Sequence, residues 1–210
     1  MKKILLLFLL LISIGAQAQK SNLPNFNADP SARVFGDTLW IYASHDIAGS
    51  NYWDMVDWHC YSTTDLQHWT DHGVIFSLKD ITWADKYAWA PDCVSRNGRY
   101  YFYFPANFQI GVAISNSPAG PFKDALGKPL IAKNEGETTE MDPCVFIDDN
   151  GQAYLYYGQD TLCIVKLKKD MITTEGAIKK LHVKNFHEGV WGHKLNGMYY
   201  LSYPSAYDLS

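Results

Sequence analysis

The segment Thr139–Gly158, TEMDPCVFIDDNGQAYLYYG, contains the unit from which the rest of the chain is built. An acid, Asp142, precedes the short apolar strand Val145–Ile147, and Asn150-Gly151 predicts a two-residue hairpin turn. Ala153–Tyr157 follows as an aromatic strand of residues that favour pleated sheet. The same order of acid, strand, glycine-containing turn and strand recurs along the chain. The acids that open the copies are Asp29, Asp92, Asp142 and Glu188.

These repeats predict an all-β fold. Each copy has room for about four short strands, and no long stretch shows the spacing of an amphipathic helix. One four-stranded unit cannot bury both of its faces, so repeated units predict blades stacked around an axis, a β-propeller. A β-sandwich is the alternative, but it does not explain a recurring four-strand unit. The chain accounts for about three and a half blades, and we expect the domain over residues 19–210 to be an incomplete ring, since closure removes exposed edges.

The first residues have the pattern of an export signal. Lys2 and Lys3 precede the apolar run Ile4–Ile14, and Ala16-Gln17-Ala18 forms an A-x-A cleavage site. The apolar run is short for a transmembrane span. We therefore expect residues 1–18 to be a signal peptide cleaved after Ala18. This predicts an exported protein, periplasmic or extracellular, without membrane attachment after cleavage.

Charge and composition limit the classes of partner. The formal net charge is −4 and the charges are interspersed, so the chain lacks the basic face that nucleic acid requires. Aromatic residues make up 15% of the chain, which suits either sheet packing or stacking on sugar rings. An exported chain permits disulfides, but the cysteines lie in apolar, strand-like runs and we expect buried free thiols. They are Cys60, Cys93, Cys144 and Cys163.

The acids that open the repeats are the main indication of function. If the inner strands start around one axis, these acids converge near one mouth of it. Glycoside hydrolysis uses such an arrangement, in which one carboxylate activates water and a carboxylic acid protonates the leaving oxygen. A third carboxylate raises the pKa of the acid by charge repulsion. The alternative for any single acid is that it caps a strand or binds loop amides.

Several segments together resemble glycoside hydrolase family 43, over nearly all of the chain that follows the signal. In chain order they are Asn27–Pro30, Ser44–Asp46, Trp89–Asp92, Ser117–Phe122, Met141–Phe146, Phe186–Trp191 and Asn196–Tyr203. The resemblance implies a five-bladed β-propeller that hydrolyses α-L-arabinofuranosides or β-D-xylosides with inversion. The substrates expected are arabinoxylan, arabinan or xylo-oligosaccharides of the plant cell wall.

The resemblance also implies roles for individual residues. Asp29 would be the general base, Glu188 the general acid, and Asp142 the carboxylate that raises the pKa of Glu188 and orients it. Asp92 follows a Trp-Ala-Pro motif where the family has no fixed catalytic acid, so we do not count it as catalytic. Trp89 matches a tryptophan that lines the sugar pocket, with packing between blades as its alternative role. Inversion predicts carboxyl groups about 6.5–9.5 Å apart for the base and the acid.

Other features have structural interpretations. We expect His45 and Asp46, at the end of the second strand, to be structural and to lie away from the mouth. Asp148–Gly151 lacks the ligand spacing of a calcium loop. We assign no metal ligands and expect no required cofactor, although the resemblance allows a structural calcium ion in the full-length propeller. The family takes a substrate-binding Arg and an ion-binding His from its last two blades, which we expect this chain to lack.

Two further functions stay open. A non-catalytic carbohydrate-binding propeller or an inactive fragment would explain the aromatic content and the incomplete ring, but a lectin does not need an acid–base pair. Within the enzyme class, an endo-arabinanase or a galactan-acting exo-glycosidase would carry the same acids. The identity of the sugar and the linkage therefore cannot be chosen from these motifs.

Overall fold

The computed structural model describes Leu23 and residues 25–205, so the predicted signal peptide lies outside the described residues. The regular structure of this part is β-strand, apart from a 3-10 turn at Leu78–Asp80. No helix within it is long and apolar enough to cross a membrane. The strands are β1 (Asn27–Phe35), β2 (Thr38–His45), β3 (Asp57–Thr63), β4 (Thr70–Ser77), β5 (Asp92–Arg96), β6 (Arg99–Ala106), β7 (Gln109–Ser115), β8 (Lys123–Asp124), β9 (Cys144–Ile147), β10 (Ala153–Tyr157), β11 (Leu162–Leu167), β12 (Thr174–Leu181), β13 (Trp191–Leu195) and β14 (Met198–Ser202).

The strands form three antiparallel sheets of four strands each and a final hairpin. Sheet 1 contains β1–β4, sheet 2 contains β5–β8 and sheet 3 contains β9–β12, each in sequence order, and β13 pairs with β14. The first strands of consecutive units lie side by side, because β1 contacts β5, β5 contacts β9 and β9 contacts β13. The prediction of an all-β chain made of four-stranded repeats is confirmed.

The hydrophobic cores lie between consecutive sheets. Strand β6 shows why, because Phe102 and Phe104 pack in the cluster shared with sheet 1, whereas Tyr101 and Tyr103 pack in the cluster shared with sheet 3. Successive side chains of a strand point to opposite faces, so a strand that is apolar throughout is buried on both sides. A third cluster, which includes Val190, packs sheet 3 against the hairpin. Each sheet is therefore held by its neighbours.

The four cysteines are buried and free, which confirms the prediction of free thiols. Cys60 and Cys93 belong to the core between sheets 1 and 2, and Cys163 to the core between sheets 2 and 3. Burial raises the pKa of the Cys93 thiol and raises that of Cys144 to about 12. These thiols therefore stay protonated and act as small apolar side chains.

The hairpin turns follow the Asn-Gly signal in two repeats and depart from it in one. Asn97-Gly98 and Asn196-Gly197 have positive φ at both residues and join their strands as two-residue turns. The predicted two-residue turn at Asn150-Gly151 is wrong. The Asp148 N–H donates to the Gln152 carbonyl at 2.9 Å, and the Gly151 N–H donates back to the Asp148 carbonyl at 2.8 Å. Residues 149–151 thus form a three-residue loop, in which Gly151 takes the left-handed position with φ +81°.

Candidate active site

Three of the four acids that open the repeats line one pocket. Asp29, Asp142 and Glu188 border an open cavity of about 450 Å³, which also contacts Pro91 and Trp191. The residues come from the starts of different units, so only the packing of β1, β9 and β13 around a common centre brings them together. The structure therefore places the predicted base, acid and tuning carboxylate in one site.

Asp29 and Asp142 share an unusual backbone conformation. Asp29 has φ +47° and Asp142 has φ +51°, in the left-handed region that few residues other than glycine adopt. The register of β1 against β2 shifts between Ala28 and Ser31, so Asp29 lies in a β-bulge. Bulges redirect a side chain and are common beside active sites. Strained conformations of this kind persist where the surrounding structure holds them, which is typical of functional positions.

Asp92 does not join the other acids. It is 1% exposed and lies within β5, where it accepts hydrogen bonds from Ser31 Oγ at 2.7 Å, Arg33 Nε at 2.8 Å and the Val145 N–H at 2.7 Å. The expectation that all four acids lie at one mouth is therefore wrong for Asp92. Its carboxylate instead bonds to groups of β1 and β9 and so connects these strands to β5.

Glu188 is held by two neighbours. Gln159 Nε2 donates a hydrogen bond to Glu188 Oε2 at 2.9 Å, and His187 Nε2 lies 3.6 Å from the same oxygen. The other ring nitrogen of His187, Nδ1, contacts Asp160 Oδ1 at 2.9 Å. Bonds to both the carboxylate and the imidazole restrict their rotation. Glu188 thus enters the pocket in an orientation that the end of sheet 3 determines.

The pocket raises the pKa of two of its carboxyl groups, those of Asp142 and Asp29. The pKa of Asp142 rises to about 7 because of burial and then the charges of Glu188 and Asp29, against the Gly189 N–H that donates to Oδ2 at 2.9 Å. Burial, followed by the charge of Glu188, also raises the pKa of Asp29. These causes favour the protonated forms of Asp142 and Asp29. The site can therefore hold an ionised and a protonated carboxyl together near neutral pH, as acid–base catalysis requires.

Trp89 lies beside this pocket and is not among the residues that line it. Its ring stacks on Tyr87 with centroids 4.9 Å apart and meets the edge of Phe108 at 5.5 Å. Trp89 Nε1 donates to the Trp53 carbonyl at 2.8 Å, which ties the aromatic group to the loop before β3. Contact of Trp89 with a sugar stays a prediction.

His45 and Asp46 lie at the pocket end of sheet 1. His45 pairs with Asn27 in the register of β1 and β2, and the charge of Asp46 contributes to the raised pKa of Asp29. The expectation that they lie away from the mouth is wrong. The reason is geometric, because an antiparallel partner returns the end of β2 to the start of β1.

Comparison with known proteins gives the chain its family. The model of glycosyl hydrolases family 43 matches residues 19–207. The chain belongs to this family. A xylosidase/arabinosidase of Humicola insolens is 33% identical, over 86% of this chain and 73% of its own length. A xylosidase/arabinosidase of Bacteroides ovatus is 30% identical, over 87% of this chain and 71% of its own length.

Solved structures of family 43 enzymes agree. An α-L-arabinofuranosidase of Clostridium thermocellum shares 41% identity with a TM-score of 0.78, over 86% of this chain and 64% of that one. A family 43 enzyme of Xanthomonas citri, solved with xylotriose, shares 31% identity with a TM-score of 0.79, over 86% of this chain and 67% of that one. This chain is thus a glycosidase of the xylosidase and arabinofuranosidase type, and it spans about two thirds of the length of these solved relatives.

Sequence reasoning missed two residues of this family 43 site. His187 stands next to Glu188 in the motif that carries the resemblance, so its position in the sequence could have indicated that it lies near the acid. Gln159 has no such signal, because it follows β10 and reaches Glu188 only through the packing of sheet 3 against the hairpin. Adjacency in sequence could have indicated the first but not the second.

Proposed function

We propose that this chain belongs to an exported inverting glycosidase that releases α-L-arabinofuranosyl or β-D-xylosyl residues from arabinoxylan, arabinan or xylo-oligosaccharides. The observation that carries the proposal is the convergence of Asp29, Asp142 and Glu188 on one pocket. The kinds of enzyme found among the relatives support the choice of sugars. Export rests on the signal pattern of residues 1–18.

The chemistry follows from the two states of a carboxyl group. Ionised Asp29 takes a proton from a water molecule as the water attacks the anomeric carbon, while protonated Glu188 gives its proton to the leaving oxygen. The glycosidic C–O bond breaks and a new C–O bond forms on the opposite face, so the configuration inverts. The cycle leaves Asp29 protonated and Glu188 ionised, and exchange with solvent restores both. Asp142 accepts a hydrogen bond from the N–H of Gly189, the residue that follows Glu188, and so holds the backbone beside the acid.

The proposal includes a five-bladed propeller as the complete domain. Three four-stranded sheets in sequence order, with their first strands side by side, support this arrangement. A ring of such sheets buries the faces that a single sheet leaves open. The proposed reaction uses carboxyl groups and water, and it requires no cofactor.

The test is hydrolysis of aryl glycosides by the secreted protein and its variants. We expect Asp29→Asn and Glu188→Gln each to reduce kcat/KM for nitrophenyl arabinofuranoside or xyloside by about 10²–10⁴-fold. Asp85→Asn, on an exposed acid outside the pocket, should leave it unchanged. NMR of the first-formed sugar should show inverted configuration. Full activity in both pocket variants would exclude the assignment.

Substrates with different leaving groups distinguish the general acid from the general base. A dinitrophenol leaves without protonation, so Glu188→Gln should retain far more activity on a dinitrophenyl glycoside than on xylobiose or an arabino-oligosaccharide. Asp29→Asn should lose activity on both, since water must be activated in either case. Sugar binding in calorimetry without turnover would instead indicate a carbohydrate-binding protein. Product profiles on arabinan, arabinoxylan and galactan would distinguish exo-acting from endo-acting enzymes.

A further inference from the structure

Two histidines and a carboxylate meet where strand β2 ends and β3 begins. His45 Nδ1 lies 2.9 Å from Asp57 Oδ1, and His59 Nε2 lies 3.8 Å from the same oxygen. The two imidazole rings are 4.2 Å apart between centroids. One nitrogen from each histidine and one oxygen of Asp57 all lie within 4.8 Å of one another. None of the three residues lines the pocket of Asp29, Asp142 and Glu188.

One member of the cluster has an unsatisfied nitrogen. His59 is 7% exposed, and its Nε2 has no hydrogen-bond partner among the described residues. That nitrogen points toward Asp57 Oδ1 at 3.8 Å, which is too long for a hydrogen bond. Buried polar atoms are almost always paired, so an orphan of this kind calls for a partner from solution, either a water molecule or a cation. The atom that faces it in this cluster is a carboxylate oxygen, and a cation between them would satisfy both.

We propose that His45, Asp57 and His59 bind a divalent transition-metal ion of the Zn²⁺ type. Two imidazoles and one carboxylate suit Zn²⁺, Cu²⁺ or Ni²⁺, whereas Ca²⁺ and Mg²⁺ prefer oxygen ligands throughout. Bonds of 2.0–2.2 Å in a tetrahedral site place its ligand atoms about 3.4 Å apart. The two distances to Asp57 Oδ1, 2.9 and 3.8 Å, lie on either side of that value. The two histidine nitrogens lie within 4.8 Å of each other, so the three ligand atoms would move to a common separation of about 3.4 Å when the ion binds.

A second residue can hold the His59 ring in the form that binds metal. Ligation through Nε2 requires the ring proton on Nδ1, and the side-chain amide of Asn25 faces Nδ1 at 3.3 Å. The Asn25 amide nitrogen also donates to Tyr61 Oη at 3.1 Å and to Asp71 Oδ2 at 3.4 Å, so a half-turn that lets the amide oxygen accept the Nδ1 proton would give up both bonds. Metal-bound histidines are oriented by such partners of the second ring nitrogen.

The position of the cluster means that a bound ion would restrain the loop between β2 and β3. His45 and Asp57 flank the two ends of loop 46–56, so a shared ion would fasten the loop at its base. The loop contains Asp46, whose charge reaches Asp29, and Trp53, whose carbonyl binds Trp89. A metal-bound protein would therefore have a more rigid rim beside the acid pocket, and binding to the folded form alone would raise its stability.

Metal titration of the protein tests the site. The protein, produced without a polyhistidine tag and freed of metal with a chelator, is titrated with Co²⁺ followed by visible absorption and with Zn²⁺ followed by calorimetry. We expect one ion per chain, with the absorption bands of nitrogen ligation. His59→Gln and Asp57→Asn should each weaken binding by at least about tenfold. Zn²⁺ should raise the Tm of the wild type and leave that of His59→Gln unchanged.

Matched variants identify the place of binding. His72→Gln changes a histidine of the same sheet whose Nε2 contacts Ser62 Oγ at 2.8 Å, and His68→Gln removes an exposed surface pair with Asp65. Both should bind the ion as the wild type does, and so should Glu188→Gln in the acid pocket. Absence of stoichiometric binding by the wild type overturns the proposal. Equal weakening in a control, or wild-type affinity in His59→Gln, overturns it as well. Binding is measured without turnover, so either result leaves the hydrolase assignment untouched.

Discussion

Arg33 of strand β1 and Asp92 of strand β5 form a largely buried ion pair between sheets 1 and 2. Arg33 Nε donates to Asp92 Oδ1 at 2.8 Å. Arg33 Nη2 donates both to Asp92 Oδ2 and to the Val145 carbonyl. The guanidinium also lies over the ring of Trp191, 4.2 Å from its centroid. One pair therefore joins all three sheets and the hairpin around their common centre. The acid that the repeat pattern nominated and the family resemblance set aside has a structural function.

Asp92→Asn should lower stability. Removal of one partner of a buried pair leaves an uncompensated charge, here Arg33, which typically costs about 3–5 kcal/mol. Urea unfolding at neutral pH measures the change. Asp85→Asn, on an exposed acid of the loop before β5, should change the free energy of unfolding by less than about 0.5 kcal/mol. An Asp92 variant as stable as this control would show that the pair is not essential to the fold.

Asp142 should make the protein less stable as the pH rises. Its pKa is about 7 in the folded chain, against about 3.9 in an unfolded one. Between these values the unfolded chain loses its proton first, so stability falls from about pH 4 to about pH 7 and the deficit persists above it. Asparagine has no acidic proton, so Asp142→Asn removes this loss of stability at high pH. We expect it to raise the free energy of unfolding at about pH 8 by on the order of 1–3 kcal/mol, with no gain near pH 4.

The control residue is Asp148, whose replacement should change stability in the opposite direction. The backbone N–H of Asp149, with Tyr199 and Lys194, lowers the pKa of Asp148. A lowered pKa contributes stability above the unfolded value, and this contribution is lost as the pH falls. Asp148→Asn should therefore destabilise the protein at about pH 8 and have little effect near the folded pKa. If both variants changed stability in the same direction at high pH, burial and repulsion at Asp142 would not explain its pKa.

Gly158→Ala should damage both stability and activity. Gly158 has φ +124°, and a Cβ there would lie 2.2 Å from the Thr161 carbonyl oxygen. Its N–H donates to the Met141 carbonyl at 2.9 Å, directly before Asp142, and Gln159 follows it. We expect a loss of at least about 2 kcal/mol in unfolding free energy, from strain plus steric overlap. Gly127→Ala is the matched control, because it has φ +66° with no atom within 4 Å of the added carbon, so only strain of about 1 kcal/mol applies. Equal losses in both variants would contradict the clash.

The sequence contained enough to predict the sheets, because the hairpin units and the alternation of buried side chains are local. It also contained a signal that separates the acids. Asp29 and Asp142 each stand directly before a proline, whereas Asp92 follows one. The two Asp-Pro acids have left-handed backbones and line the pocket, and the Pro-Asp acid lies within a strand and is buried. Among these three acids, the place of the proline thus matches the place of the carboxylate, in the pocket or within a strand.

Other features could not be predicted because they depend on strand pairing and packing that a short motif does not specify. The Asn150-Gly151 pair fits a two-residue or a three-residue loop, and only the pairing of Asp148 with Gln152 decides between them. The proximity of His45 to the mouth follows from the antiparallel register of sheet 1. The bond from Gln159 to Glu188 requires sheet 3 and the hairpin to be packed. Each of these depends on hydrogen bonding or packing that a motif alone does not determine.

Gln159 should act as a positioning residue for Glu188. Its backbone N–H is fixed by Thr138 Oγ1 at 3.1 Å, so its side chain reaches Glu188 from a held position. Gln159→Leu removes one hydrogen bond to a charged group, worth about 1.5 kcal/mol or tenfold in kcat/KM. Gln152→Leu, which removes an amide at the hairpin loop of the same sheet, should leave kcat/KM unchanged.

Gln159→Glu distinguishes positioning from a purely structural role. It keeps the shape of the side chain but puts a second carboxyl within hydrogen-bond distance of Glu188, and like charges raise the apparent pKa of such a pair. The alkaline limb of the kcat/KM profile, where the protonated acid is lost, should therefore move to higher pH. A structural residue would change the Tm without moving this limb. A profile that keeps its wild-type limbs in Gln159→Glu, with wild-type kcat/KM in Gln159→Leu, would show that the hydrogen bond does not contribute to the reaction.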